Sequence, residues 1–376
     1  MPSASLAHKI KLLPTLEQEV YFRQAAGVAR KTYNVALAAW NSTYEAEGRV
    51  SCGALKKAFN STYKAEFPYM TEVHRDCHSQ PFKNLQTAWT NYFRSLRDPS
   101  LPKVERPTFK CKGRSKDSFY VANDKFSVSG KFIKLPKVGV VKLAEELRFV
   151  GKIMSATVSR QADCWSISIS MIVENAERTQ DLKQESVGVD LGVTTALTLS
   201  GGIKIDSPRP LKRYLSRIKR QSRSFSRKQK DGKNREKARL KLAKTYKKIT
   251  DIRSDFTHKV TTKLCRENQT VVIEDLNVKS MHQSACSGMS RAISDVGFFE
   301  IRRQLTYKAK LFGTNLVVAD RWFPSSKICS SCGIKNTTLG RGDKRWVCPS
   351  CGSHHDRDVN ASENLNRYPA WAALRS

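Results

Sequence analysis

Apolar positions recur with the period of a helix over the first hundred residues, and with the period of a strand after them. Ala29, Tyr33, Ala36, Leu37 and Trp40 form one stripe, and Phe82, Leu85, Trp89, Tyr92, Phe93 and Leu96 form another. Spacings of three and four put each set on one helix face, where large aromatics are core material first and base-stacking surfaces second. Ahead of them HKIKLLPT alternates as a strand does. Thr15 followed by Gln18 has the form of a capping box, so the first helix should open near Leu16. The Pro-, Gly- and Lys-rich stretch LPKVERPTFKCKGRSK, residues 101–116, closes this helical block. Beyond it SFYVAND, KFSVSGKFIKLP and VGVVKL read as short strands, and MSATVSRQADCWSISISMIVE as a hairpin. A β-barrel or sheet fits these strands. The opening strand near Ile10 could join it, which would make the helical block an insertion.

A second pattern begins near Ser186. SVGVDLGVTTALTLSGG gives a strand, a tight turn and another strand, with Gly201-Gly202 as a hairpin turn. Leu211, Leu215 and Ile218, then Ala238, Leu242, Tyr246 and Ile249, fall at helical spacing and predict two helices broken near KDGKN. QTVVIEDLNVKSM predicts a buried strand ending in acids, GFFEIRRQLTYKAKLFG a helix from about Gly297, and NLVVADRW a further strand.

Charge sharpens this picture. The 376 residues carry 67 Lys and Arg against 34 Asp and Glu, a net charge of +33, which calls for a polyanionic partner, nucleic acid before a membrane surface. No apolar run reaches the roughly 18 to 20 residues that span a bilayer, and MPSASLAHKIKLLPT lacks the apolar centre of a signal peptide, so a cytoplasmic protein with no membrane partner is expected. From Leu211 to Lys248 there are 17 basic residues and two acids, Asp231 and Glu236, too few to neutralise them locally. Lys212, Arg213, Arg217, Lys219, Arg220, Arg223, Arg227 and Lys228 are therefore candidate phosphate contacts. Arg30 and Lys31 in the helical block, and Arg321, Lys327 and Arg357 further on, are candidates of the same kind.

Ten cysteines fit a reducing compartment if they serve as thiols or metal ligands. Cys329-x-x-Cys332 and Cys348-x-x-Cys351, fifteen residues apart, have zinc-ribbon spacing: two knuckles offering four thiolates to one tetrahedral structural Zn²⁺. Gly333 and Gly352 follow the knuckles where the backbone must curl. His354 and His355 could substitute as ligands, though four cysteines already close the shell. The remaining six, Cys52, Cys77, Cys111, Cys164, Cys265 and Cys286, lack ligand spacing.

Three acids stand where a sheet-based nuclease would use them. Asp190 ends the strand VGVD, and Glu274 shares a strand face with Val272. Asp358 recurs with Ala361 and Leu365 at helical spacing, directly after the second knuckle, while Asp356 falls off that stripe. Carboxylates from separate segments suit two-metal phosphodiester cleavage with two Mg²⁺. No convincing Ser, His or Cys triad and no Walker loop is present.

VGVDLGVTTALTLS, then VVIEDLNVKSM, then FPSSKICSSCG with CPSCGSHHDRDVNASENL, together with ARKTYNVALAAWN near the start, resemble the TnpB (OrfB) proteins of insertion sequences, transposon relatives of the type V CRISPR effector nucleases. The resemblance runs over almost the whole chain. It implies an α+β multidomain fold: a wedge β-barrel at 1–14 and 101–180, a helical recognition domain inserted at 15–100, an RNase H-like (RuvC-type) α/β nuclease domain at 181–322 and 354–376, and an inserted zinc-ribbon target-nucleic-acid-binding module at 323–353. It also implies Asp190, Glu274 and Asp358 as the catalytic triad. The implied activity is RNA-guided cleavage of double-stranded DNA beside a short flanking motif, with a guide RNA transcribed from the transposon end. A separate transposase of the same element is a further implied partner, and bacterial or archaeal cytoplasm, at the nucleoid, the setting. Only 18 residues follow Asp358, so a short last helix is expected. A guided repressor that binds without cutting, a strand-transfer transposase, and a basic zinc-ribbon RNA-binding protein are the competing readings. The first would have lost a triad acid, the second fits the position of the zinc ribbon poorly, and the third leaves the acids unexplained.

Overall fold

In the computed structural model, which describes residues 4–174, 178–340 and 342–373, strand β1 (Ala4–Leu13) leads into helix α1 (Leu16–Glu47) through the capping box read at Thr15. The Gln18 amide donates to Thr15 Oγ1 at 3.3 Å, and Thr15 N donates to Gln18 Oε1 at 3.1 Å, so both amides find partners at the helix start. Helices α2 (Cys52–Glu66) and α3 (Asp76–Arg97) complete the block. The two aromatic stripes meet along α1 and α3. Trp40 stacks on Trp89 with ring centroids 3.7 Å apart, and Tyr44 reaches Phe93 one turn on. Leu96, the last position of its stripe, is 59% exposed, because the pairing has by then advanced to the end of α1 and no partner remains.

Strands β2 (Ser118–Ala122), β3 (Ser127–Ser129), β4 (Phe132–Leu135), β5 (Gly139–Leu143), β6 (Lys152–Gln161) and β7 (Cys164–Val173) follow. With β1 they make one antiparallel sheet in the order β2-β6-β7-β1-β5-β4-β3. Residues 4–11 of β1 pair with β7, while Leu12 and Leu13 pair with β5, so one strand joins the two halves. The helical block is thus inserted between β1 and its sheet partners. A closed barrel is not formed: the order ends at β2 and β3, with no pairing between them among the described residues. Closure needs edge strands of matched length and stagger, and β3 offers three residues.

Residues 1–175 and 176–376 form two compact units. The second contains β8 (Gln184–Asp190), β9 (Leu197–Leu199), β10 (Lys204–Ile205), α4 (Pro210–Ser226), α5 (Lys233–Glu267), β11 (Asn268–Glu274), α6 (Val278–Ser284), α7 (Ser287–Val296), α8 (Phe298–Phe312), β12 (Asn315–Ala319), β13 (Arg345–Val347), β14 (His354–Asp356) and α9 (Arg357–Ala373). Its main sheet has the order β10-β9-β8-β11-β12. The first three strands are an antiparallel meander closed at Gly201 and Gly202, whose φ of 86° and 84° only glycine adopts freely. Strands β11 and β12 lie parallel to β8 and are reached through helical crossovers. This is the strand order expected of an RNase H-like sheet. The basic segment breaks between α4 and α5 as read, but α5 continues for 35 residues, well past Ile249. Ile218 and Ile249 are buried, whereas Tyr246 is 48% exposed and outside the core.

Helix α9 covers the face of the sheet that carries Val272 and Val317, with Leu365 buried against Val272 and Ala319. Gly188 of β8 permits this approach. A Cβ there would stand 2.0 Å from Ser362 O and 2.4 Å from Asn366 N, both backbone atoms that cannot rotate away. Gly188→Ala is therefore expected to push α9 off the sheet at a cost of about 3 kcal/mol, lowering the melting temperature of this unit by roughly 6–12 °C in thermal unfolding. An unchanged melting curve would contradict the packing described.

Candidate active site and cysteine knuckle

Two neighbouring parallel strands end in acids. Val189 of β8 lies opposite Ile273 of β11, so the residues that follow, Asp190 and Glu274, stand side by side at the carboxyl ends of the strands, where open α/β sheets gather their ligands. Alternation puts Gly188 and Asp190 on one face of β8, and Val272 and Glu274 on the same face of β11, the face that α9 covers. From Ser362, over Gly188, back to Asp358 is four helical residues, about 6 Å. From Gly188 to Asp190 is two strand residues, about 7 Å. The helix thereby delivers Asp358 above the other two acids.

The charges follow from that proximity. Burial first, then Glu274 and Asp358, push the Asp190 carboxyl well above the usual carboxylate range, against Lys344 and Arg357, which pull it down. Burial raises Glu274 as well, opposed by the Ser325 hydroxyl, which donates to Oε1 at 2.6 Å, and by Arg357. Lys344 Nζ lies 3.4 Å from Asp358 Oδ2. Two cations leave three clustered acids short of positive charge, and hard divalent ions with oxygen ligands relieve such a deficit. Among the described residues the four cysteines gather ligand atoms within 4.8 Å of one another.

Asp356 has another task. Its Oδ1 accepts the amides of Asp358 and Val359 at 3.1 and 3.2 Å, and its Oδ2 takes Lys204 at 2.8 Å, so it caps α9 while Asp358 is presented. Four supporting residues had no place in the sequence reading: Ser325, Lys344, Asn360 and Asn364. The asparagines are 2% and 5% exposed. Asn360 accepts from Ser330 N at 2.9 Å and donates to Ile328 O at 2.7 Å, and Asn364 donates to Ser325 O and Ile328 O at 2.7 and 2.6 Å. The signal for them was present: polar residues four apart, each preceding a buried apolar position, Ala361 or Leu365.

Those bonds tie α9 to the first cysteine knuckle. Cys329 and Cys332 lie after β12, Cys348 and Cys351 between β13 and β14. Cys329 Sγ is 3.6 Å from Cys351 Sγ, and Cys332 Sγ is 3.6 Å from Cys348 Sγ, close to the separation of about 3.8 Å across a tetrahedron of thiolates 2.3 Å from one ion. Gly333 and Gly352, at φ 78° and 71°, turn the chain so that their amides meet Cys329 O and Cys348 O at 2.8 and 3.0 Å. The Ser353 hydroxyl, 3.2 Å from Cys351 Sγ, and then its amide pull that thiol down to about 6, while, against the Ile334 amide, burial and the other three thiols push Cys332 up, so that a metal would have to displace protons from the set. His355 Nε2 is 3.1 Å from Cys329 Sγ and its ring packs on Trp346, so it lies beside the four thiols; His354 points to solvent.

The basic candidates divide. Lys212, Arg213, Arg217, Lys219, Arg220, Arg223, Arg227 and Lys228 are all exposed, with no ion-pair partner among the described residues. Lys219, Arg220, Arg223, Arg227 and Lys228 line a concavity of about 710 Å³. Buried Asp295 anchors this helix by accepting the amides of Leu211 and Lys212 at 2.8 and 2.9 Å while pairing with Arg253 at 2.8 Å. Arg30, by contrast, is 17% exposed and bonded to Asp117 at 2.7 Å, and Arg321 pairs at 2.6 Å with Asp275, which Arg302 shares. Lys31 lies 5.1 Å over the Phe67 ring, Lys327 is half-buried, and Arg357 donates to Gly340 O at 3.3 Å beside the acids.

Comparison with known proteins gives the chain its relatives. Residues 168–285 match the OrfB family of IS605 elements, described as "Probable transposase", residues 298–365 a Cas12f1-like TNB domain, and residues 1–49 a helix-turn-helix domain of OrfB proteins. In this structure the last stretch forms β1 and one long helix. A Streptomyces pristinaespiralis protein named "Putative RNA-guided DNA endonuclease" is 36% identical over 97% of this chain and 89% of its own length. The Escherichia coli K12 protein of the same name, InsQ, is 30% identical over 96% and 91%. Among solved structures, the protein of a Cas12f1–sgRNA–target DNA complex superposes with a TM-score of 0.54 over 97% of this chain and 99% of its own, at 12% identity, a likeness of fold.

Proposed function

The chain belongs to the TnpB (OrfB) family of insertion-sequence proteins, and from that premise we propose that it is an RNA-guided DNA endonuclease that cuts target DNA beside a short flanking motif. One observation carries the reading: Asp190 and Glu274 side by side at the strand ends, with Asp358 brought over them by α9, in a site short of positive charge. These three carboxylates would hold a pair of Mg²⁺ ions. Magnesium, when bound, supplies an activated water and a counter-charge for the leaving oxygen.

The chain's own residues set the rest of the site. Ser325 fixes the rotamer of Glu274 through its bond to Oε1. Asp356 caps α9 so that Asp358 faces the sheet. Lys344 and Arg357 flank the acids, where they balance the cluster and can meet a bound phosphate. One Zn²⁺ on Cys329, Cys332, Cys348 and Cys351 would staple the module at 323–353, whose spheres of influence reach α9 through Asn360 and Asn364. On this reading 181–322 and 354–376 are the nuclease, 1–14 and 101–180 the wedge sheet, and 15–100 the helical recognition domain. Strand exchange is left to a separate transposase of the element.

Sequence choice then lies in pairing between guide RNA and target, with the protein gripping backbone, which accounts for +33 and for the bare cationic face of α4. Replacing Arg220 and Arg223 together by Glu is expected to weaken guide RNA binding at least tenfold at physiological salt. The slope of log K against log salt should shrink by about 2. Unchanged affinity and slope would remove α4 from the RNA path. The function itself is tested by purifying the chain with its co-expressed RNA, sequencing that RNA and offering matched plasmid with Mg²⁺. Cut plasmid is the expected result. Plasmid bound in an RNA-dependent way but left intact would make this a guided binding protein instead.

A further inference from the structure

Trp322 is 84% exposed and has no ring contact among the described residues. An indole left in water forgoes roughly 2–3 kcal/mol of burial, so its display needs a reason. The turn that carries it is held firmly. Asp320 N donates to the Tyr368 hydroxyl at 3.0 Å, Trp322 N donates to Asp320 Oδ1 at 2.8 Å, and Phe323 N donates to Asp320 O at 3.0 Å. The Phe323 ring packs edge-on against Tyr368 and Trp371, with centroids 4.9 and 5.0 Å away. On the N-terminal side Arg321 is bound by Asp275, the neighbour of Glu274, and on the C-terminal side Ser325 is bonded to Glu274 itself. Both attachments lead to the carboxylate cluster. Two residues separate Trp322 from Ser325, so their Cα atoms lie within about 11 Å of each other by chain reach. That distance corresponds to about three nucleotides of a stacked strand.

We propose that Trp322 is the stacking platform for a nucleobase of the strand entering the active site, a few nucleotides from the phosphate to be cut. The inference rests on the nuclease reading above. Every base has a π-face, so an aromatic platform grips a strand without reading it, as a protein whose sequence choice comes from base pairing requires. The surrounding charge fits that occupant: Lys344 and Arg357 stand at the acids where the backbone would pass.

Two measurements decide it. Full-length protein is titrated with an oligothymidylate of about twelve nucleotides and with an abasic strand of the same length, following tryptophan emission in the wild type and in Trp322→Phe; the difference isolates this indole. Its emission should be quenched by the oligothymidylate and left unchanged by the abasic strand. Equal quenching by both, or none, overturns the platform. In cleavage of guide-matched DNA, Trp322→Ala should raise KM about tenfold with kcat within twofold of wild type, and Trp322→Phe should recover most of the loss. An unchanged KM in the Ala variant also overturns it. A chain that cuts nothing yet shows base-dependent quenching keeps the platform and rejects the nuclease.

Discussion

Asp190→Ala is expected to reduce guide-dependent cleavage by three orders of magnitude or more while RNA binding and target binding stay within about threefold of wild type. The separation follows from where the acid sits. It ends β8 beside Glu274, beneath Asp358, and among the described residues no side-chain hydrogen bond is made to its carboxylate, so its truncation opens the carboxylate set without loosening the sheet. Stability should move the other way. Because burial and two like charges raise this carboxyl in the folded state above its unfolded value, its ionised form opposes folding. Without divalent ions its contribution to stability is fully present below the unfolded value and is lost as pH climbs from there through the raised one. The Ala variant should therefore melt no lower than wild type in chelator, and should lose part of the gain that wild type shows on mild acidification. Cleavage assays beside filter binding, and melting curves with and without Mg²⁺, make the check. Parallel loss of binding and cleavage would mean the acid is structural.

Cys348→Ser should have an effect of similar size by a different route. Four thiols arranged for one ion hold the two knuckles together, and a structural zinc contributes of the order of 10 kcal/mol to a small module. With one thiolate missing the knuckles should part. Ile328 and Ser330, the partners of Asn360 and Asn364, belong to the first knuckle, so α9 would lose the bonds that fix its N-terminal half. Zinc content should fall from about one ion per chain towards none, and cleavage by at least about a hundredfold, while the helices and sheet of residues 1–175 remain resistant to limited proteolysis. Full zinc occupancy in the variant would refute the ligand assignment. Lost zinc with cleavage intact would show that α9 holds Asp358 unaided.

Much of this could be read from local pattern because local chemistry determines it. The capping box at Thr15, the paired knuckles, the acids at the ends of VGVD and TVVIE, and the stripe of Asp358, Ala361 and Leu365 each depend on residues a few positions apart. What escaped reading depends on distant partners. Arg30 is paired with Asp117, 87 residues away, and Arg321 with Asp275, 46 residues away and shared with Arg302, partners that the sequence does not display. The bond of Ser325 to Glu274 spans 51 residues. The open sheet escaped for a related reason: alternation identifies strands but not whether the outermost two meet.

The separation of the three acids has a consequence for how the molecule comes to be dangerous. Between positions 190 and 274 lie 274 − 190 = 84 steps of chain, and between 274 and 358 another 358 − 274 = 84. Contacts across such distances form late, once the loops between them have been closed. A half-folded chain, or one whose last helix has come away, brings at most two of the three acids together. On the proposed reading the cutting apparatus then exists only in the finished molecule, and a damaged copy fails harmlessly.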